Sequence, residues 1–202
     1  MKGFYSLIYL GCCTLLFNCS SEAPVEALFT EMDNARTGIA FVNELQYDKD
    51  FNVFNYRNFY NGGGVAVGDV NNDGYVDLYF TANQKSNRLY LNNGDWTFTD
   101  ITEEAGVGVS QSWSTGVAMA DVNGDGLLDI YVSNSGDIKG DSRANEFFVN
   151  NGDGTFREEA ERWGIADQGL STHGVFFDYD RDGDLDLYVL NNSYRAIGTF
   201  NL

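Results

Sequence analysis

The sequence predicts an all-β protein built from repeated four-stranded antiparallel units. Three observations carry that expectation. An acidic nine-residue phrase occurs three times, at residues 69–77, 121–129 and 178–186. Each copy is flanked by short β-branched and aromatic runs such as Val65-Ala-Val-Gly and Asp129-Ile-Tyr-Val-Ser, which suit buried strands rather than helices. After the first two copies a second pair of such runs follows, split by Asn-Gly, the strongest short-range hairpin signal.

The phrase reads D-x-[DN]-x-D-G-x-x-D. In the first copy it offers Asp69, Asn71, Asp73, the backbone carbonyl of Tyr75, and Asp77. The second offers Asp121, Asn123, Asp125, the carbonyl of Leu127, and Asp129. The third offers Asp178, Asp180, Asp182, the carbonyl of Asp184, and Asp186, with the Asp184 carboxylate left over. Oxygen donors at positions 1, 3, 5, 7 and 9 around a glycine at position 6 suit a hard cation. Ca²⁺ takes about six to eight oxygens and needs a sharp turn in the loop that wraps it. About three Ca²⁺ sites are therefore expected. An EF-hand is excluded, because position 12 is Phe80, Val132 or Val189 rather than a bidentate Glu, and the flanks are not helical. The loop instead joins two adjacent strands.

The first aspartates of the loops, Asp69, Asp121 and Asp178, recur at intervals of roughly fifty residues, the size of one four-stranded propeller blade. Each full unit closes with a short helical or irregular turn ending in glycine, as in Glu103-Glu-Ala-Gly106 and Glu161-Arg-Trp-Gly164. An echo of that ending, Leu28 to Ile39, precedes the first unit and is expected to supply an outer strand to another blade. The body, residues 28–202, thus holds two full units and a partial third: an incomplete propeller. Radial folds use about four to eight blades, and an open stack leaves an unpaired strand edge. The remaining blades are expected from the same, longer chain or from an oligomer.

Residues 1–18 read as a signal segment. Lys2 is followed by an apolar run to Phe17, too short to span a bilayer comfortably. Leu16-Phe-Asn-Cys19 then resembles a bacterial lipoprotein signal, with Cys19 the lipidated residue and 19–27 a tether. The expected localisation is an exported bacterial outer-membrane lipoprotein, facing the periplasm or the surface. All three cysteines lie in or at the end of this segment, so the body is expected to contain no disulfide. A net charge of −18, from 12 basic and 30 acidic residues, disfavours nucleic acid, which selects basic faces.

Gly64-Val-Ala-Val-Gly-Asp-Val-Asn-Asn-Asp-Gly-Tyr-Val-Asp-Leu-Tyr79 resembles the FG-GAP or VCBS repeat, the blade of integrin-α-type β-propellers. With Tyr56-Arg-Asn-Phe-Tyr-Asn-Gly-Gly-Gly64 before it, the chain is similar to lipoproteins of the Bacteroidetes type, which often carry a C-terminal ASPIC/UnbV domain. The resemblance implies that positions 1, 3, 5 and 9 of each loop hold Ca²⁺. One departure is visible. A glycine lies five residues ahead of Asp69 and Asp121, but Gly174 lies four ahead of Asp178.

No nucleophile elbow, zinc-binding helix motif or phosphate loop is present in the sequence. The single histidine, His173, is expected just before a strand as a packed loop residue. Trp113 is expected to pack between blades, and 56–60 to pack as a lead-in to the first blade. The leading expectation is a lipid-anchored, non-catalytic propeller that recognises a protein or glycan. A calcium-assisted polysaccharide hydrolase or lyase, and a structural spacer of a surface assembly, stay open.

Overall fold

The computed structural model describes residues 27–108, 113–135 and 143–193. The expected signal segment and the lipidation site Cys19 lie outside the described residues, as does most of the tether. Strands β1 (Val65–Gly68), β2 (Asp77–Phe80), β3 (Arg88–Asn92) and β4 (Phe98–Asp100) pair in chain order as an antiparallel meander. Strands β5 (Ser114–Ala120), β6 (Asp129–Asn134), β7 (Glu146–Asn150) and β8 (Phe156–Glu158) repeat that sheet. A third hairpin follows, β9 (Leu170–Phe177) with β10 (Asp186–Asn192). The architecture is that of an incomplete propeller, all-β among the described residues apart from three single-turn helices.

Register is the same in each unit. The first acidic loop is held between Gly68 and Asp77, the second between Ala120 and Asp129, the third between Phe177 and Asp186. Each loop is therefore a hairpin connection, as its flanking runs predict. The Asn-Gly signals also mark hairpins, though longer than two residues: the Asn93 amide donates to the Thr97 carbonyl at 2.9 Å, and the Asn151 amide to Thr155 at 3.0 Å.

Helices α1 (Asn34–Thr37), α2 (Thr102–Ala105) and α3 (Ala160–Trp163) all end on a glycine in the left-handed region, Gly38, Gly106 and Gly164. That conformation costs glycine no Cβ clash. The echo that includes Leu28–Ile39 therefore supplies a helix and its cap. The outer strand expected there does not form, since none of the described residues before Val65 is in a strand. Asp33 caps α1 through the Ala35 amide, and a short polar run around a cap favours a helical turn over strand pairing.

The core lies between the sheets. Ala66, Tyr79 and Leu89 of the first sheet pack against Val117, Ile130, Val132 and Phe148 of the second. Tyr131, Phe147 and Val149 of the second pack against Phe176, Leu187 and Val189 of the third hairpin. A third cluster, Tyr56, Phe59, Trp113 and Leu170, seals one end of the stack. Trp113 packs edge-on to Tyr56 at 5.2 Å and to Phe51 at 5.0 Å. These residues form the packed lead-in that the sequence suggests.

The first strands of successive units run so close together that a side chain does not fit. A Cβ on Gly64 would lie 2.8 Å from the Thr115 carbonyl oxygen, and one on Gly116 would lie 2.4 Å from that of Thr172. In the third unit this position is His173, which is exposed and sits inside β9 rather than ahead of it. No further strand of the described residues lies against it, so the requirement for glycine is lifted. Gly174 answers a different neighbour, because a Cβ there would meet the Tyr131 ring at 2.7 Å.

Candidate metal loops and the blade junctions

All three loops fold by the same local rules. Glycine at position 6 takes a left-handed backbone in each, with φ of 87° at Gly74 and Gly126 and 97° at Gly183. Position 4 is left-handed too, at Asn72, Gly124 and Arg181. The alternation turns the amides of the loop inward. Asp69 accepts from the Asp73 amide at 3.1 Å and the Gly74 amide at 2.8 Å. Asp121 accepts from Asp125 and Gly126 at 3.0 and 2.9 Å. In the third loop Asp178 accepts from Gly183 at 3.3 Å. Position 5 caps position 7 in all three: Asp73 for the Tyr75 amide, Asp125 for Leu127 and Asp182 for Asp184.

The aspartate at position 9 does two jobs. Asp77 accepts from the Val70 amide at 2.9 Å and the Asn92 amide at 2.8 Å. Asp129 accepts from Val122 at 3.1 Å and Asn150 at 2.9 Å. It thus fastens the loop to the start of the following hairpin. Both carboxylates are almost fully buried. Burial pushes their pKa up, and the amides of Asn92 and Asn150 oppose that shift. Asp186 accepts from Tyr179 at 2.8 Å and is more open to solvent.

In the third loop Asp178, Asp180 and Asp186 bring carboxylate oxygens within 4.8 Å of one another. Asp182 and Asp184 stand outside that group. The Asp184 amide holds Asp182 below the usual carboxylate range, and the Asp182 carboxylate pushes Asp184 up. In the first two loops the residue at position 3 is an amide: Asn71 donates to Asp73 and Asn123 to Asp125, both at 2.9 Å. The donor set is oxygen throughout, with carbonyl, carboxamide and carboxylate mixed. A carboxylate oxygen that accepts one amide keeps a second lone pair. The converging carboxylates of the third loop therefore fit a hard, oxygen-seeking cation, while among the described residues the first two loops bring no three carboxylates together in this way.

Sequence reasoning missed the polar residues that lock the blades. Asn87, fully buried, accepts from the Ala82 amide at 2.9 Å and donates to Ser114 Oγ at 3.2 Å. Asn145 repeats this with the Asn134 amide at 2.7 Å and Ser171 Oγ at 3.0 Å. Their signal was present: each asparagine opens the third strand run of its unit.

The end of the stack near Trp113 carries a polar groove of about 530 Å³ bounded by Glu44, Asp48, Gln84 and Lys85. Lys85 pairs with Glu44 at 2.8 Å, and Gln84 exchanges two hydrogen bonds with the Gln46 backbone. Trp113 lies beneath, 2% exposed, so it is floor rather than ligand-facing surface.

Stacked antiparallel sheets, each opened by an acidic loop and sealed to the next by a buried asparagine, define a blade-repeat protein. Residues 69–132 and 135–189 match the FG-GAP-like repeat, and the chain belongs to that family. It is 34% identical to cartilage acidic protein 1 of Xenopus tropicalis over 140 residues, 69% of this chain and 21% of the relative. Against the human protein of that name it is 32% identical over 138 residues, 68% of this chain and 20% of the relative. The mouse protein gives 31% over 140 residues, 67% and 20%. The chain thus spans about a fifth of the length of these relatives. They correct the expected localisation. All three are animal proteins, and a bacterial outer-membrane lipoprotein is not the setting in which these relatives occur. The FG-GAP part of the expected resemblance stands. Its Bacteroidetes lipoprotein part does not, because an acidic repeat shared by distant lineages carries no address.

Proposed function

We propose that this chain is a calcium-stabilised, non-catalytic recognition module whose partner is a protein or glycan. The observation that carries the reading is the threefold repetition of one loop geometry with oxygen donors at positions 1, 3, 5, 7 and 9. Asp69, Asn71, Asp73, the Tyr75 carbonyl and Asp77 would hold one ion, and the corresponding residues from Asp121 to Asp129 and from Asp178 to Asp186 would hold two more. Bound Ca²⁺ supplies charge neutralisation and a rigid turn. The chain's own residues supply the rest: asparagines and aspartates fasten each loop to its sheet, and the sheets hold the connecting segments at the end of the stack in fixed positions. The relatives' shared name makes an acidic composition common to them and to this chain, which agrees with carboxylates serving one structural purpose.

The test is thermal melting of the full chain with and without chelator, paired with calcium titration by calorimetry. Chelation should lower Tm by many degrees, since unpaired carboxylates repel and a ligand bound only to the native state stabilises it. The same melt in EDTA and in calcium would sink the metal reading. For recognition, a glycan array probed in calcium and in EDTA should show saturable binding that Lys85→Glu alters. The absence of saturable binding there and to immobilised protein ligands would leave a spacer role.

A further inference from the structure

The first two acidic loops are tied to each other by bonds that the local geometry of a loop does not require. Asn72, at position 4 of the first loop, donates its side-chain amide at 3.0 Å to the carbonyl of Gly126, at position 6 of the second. The N–H of that same peptide unit belongs to Leu127 and is held by Asp125 at 2.9 Å, while the Gly126 amide is held by Asp121 at 2.9 Å. The peptide that leads to the Leu127 carbonyl is thus oriented from both ends, once by its own loop and once by the loop of the neighbouring sheet.

A second tie runs beneath. Asp77 accepts from the Val70 amide at 2.9 Å, the Val70 carbonyl accepts from Asn150 Nδ2 at 2.8 Å, and the Asn150 amide donates to Asp129 at 2.9 Å. Asn150 Nδ2 also reaches the Leu128 carbonyl at 3.1 Å. The aspartate at position 9 of the first loop is therefore connected to its counterpart in the second by a chain of hydrogen bonds. Asp77, Val70, Asn150 and Asp129 are all buried, so water does not compete for those bonds. The flanks touch as well: a Cβ on Gly68, just ahead of Asp69, would lie 2.5 Å from Leu128 Cδ1. The third loop stands apart. Position 4 of the second loop is Gly124, which has no side chain to send to it, and the third loop gathers its own carboxylates from Asp178, Asp180 and Asp186.

We propose that Asn72 and Asn150 are positioning residues that couple the first loop to the second, so that filling either with Ca²⁺ strengthens the hold of the other, while the third fills on its own. The inference rests on the reading above that these loops hold Ca²⁺. Ordering one loop fixes donors of the other through the shared bonds, so less ordering is left to do when the second is filled. Such coupling is reciprocal.

The experiment is a calcium titration of the full chain, with free calcium set by a chelator buffer. NMR follows the amides of Gly74, Gly126 and Gly183, one in each loop and each bonded to the first aspartate of its loop. Asn72→Gly removes the side chain and keeps the left-handed backbone, φ of 58°, at no steric cost. It should move the Gly126 midpoint about fivefold toward higher calcium, about what one hydrogen bond contributes, and leave Gly183 where it was. Asp73→Ala, which strips a donor from the first loop, should weaken the Gly126 response in the wild-type background and weaken it less in the Asn72→Gly background. A purely structural asparagine would not change that difference. Asn72→Gly combined with Asn150→Ala should uncouple Gly74 from Gly126 altogether; if the double variant does not fold, the Asn72→Gly arm decides alone. A Gly126 midpoint indifferent to Asp73→Ala or to Asn72→Gly would overturn the coupling and leave the calcium reading intact. So would a Gly183 midpoint that shifts by the same factor as Gly126. No response at any of the three glycines would overturn both.

Discussion

Asn145 Nδ2 lies 3.0 Å from Ser171 Oγ and joins the third strand of the second sheet to the first strand of the next. The same amide nitrogen reaches the Tyr131 hydroxyl at 2.8 Å, while the carboxamide oxygen accepts from the Asn134 amide. Asn145 is 1% exposed, so water cannot replace a lost partner. Asn145→Ala should destabilise the fold by about 2–4 kcal/mol, because a buried amide and two hydroxyls are left short of partners. Urea unfolding with an unchanged slope and a lower midpoint would show this. Asn145→Asp should fare no better, since it exchanges two donors for a buried charge.

The metal loops should respond unequally. Asp125 caps the Leu127 amide and stands at a proposed donor position, whereas the Asp184 carboxylate lies outside the converging group of the third loop. Asp125→Ala should therefore lower Tm in calcium more than Asp184→Ala, and the gap should shrink in EDTA. Equal losses in calcium would mean that the register of the donors is different.

Arg181 occupies position 4 of its loop with φ of 66°, where the first two loops place Asn72 and Gly124. A long side chain in the left-handed region costs about 1 kcal/mol. Arg181→Gly should recover part of that, raising stability by up to about 1 kcal/mol after allowing for the greater freedom of glycine in the unfolded chain. Chemical denaturation in EDTA is the cleanest readout, because calcium does not then mask the backbone effect.

Burial pushes the Glu146 carboxyl up to about 7, against a hydrogen bond from Asn134 that favours the charged form. A carboxyl raised in the folded state is protonated there while it is ionised in the unfolded chain, whose value is about 4.3. Its contribution is therefore fully present below about pH 4 and is lost as pH rises toward and through 7, a change of about 3–4 kcal/mol. Glu146→Gln should flatten that part of the stability profile and make the protein more stable at neutral pH. The comparison is best made in EDTA, so that metal binding does not add its own pH dependence.

The strands and the acidic hairpins were legible because alternation and turn chemistry are local. Asp77 and Tyr79 announce an inward-facing strand from their neighbours alone. The junctions were less legible. Asn87 looks like any turn asparagine until a sheet from the following unit covers it, and Asp129 looks like a pure metal donor until the Asn150 amide is seen on its carboxylate. His173 was misplaced for a related reason: the bulge in β9–β10 between Leu190 and Asn191 lets the strand begin earlier than its apolar run. The echo ending at Ile39 was read as a strand because repetition carries position in the unit, while the local cap at Asp33 decides conformation.

Each junction needs a tyrosine and a buried asparagine from one unit and a carbonyl and a serine from the segment that follows, so no sheet is complete alone. Opening should then spread from the sheet with the fewest strands among the described residues, the β9–β10 hairpin. Amide hydrogens in β9 and β10 should exchange first, those of β6 and β7 last, in a gradient along the chain rather than from rim to centre. Protection would fall off along the chain like the teeth of a zipper, each sheet holding its neighbour closed.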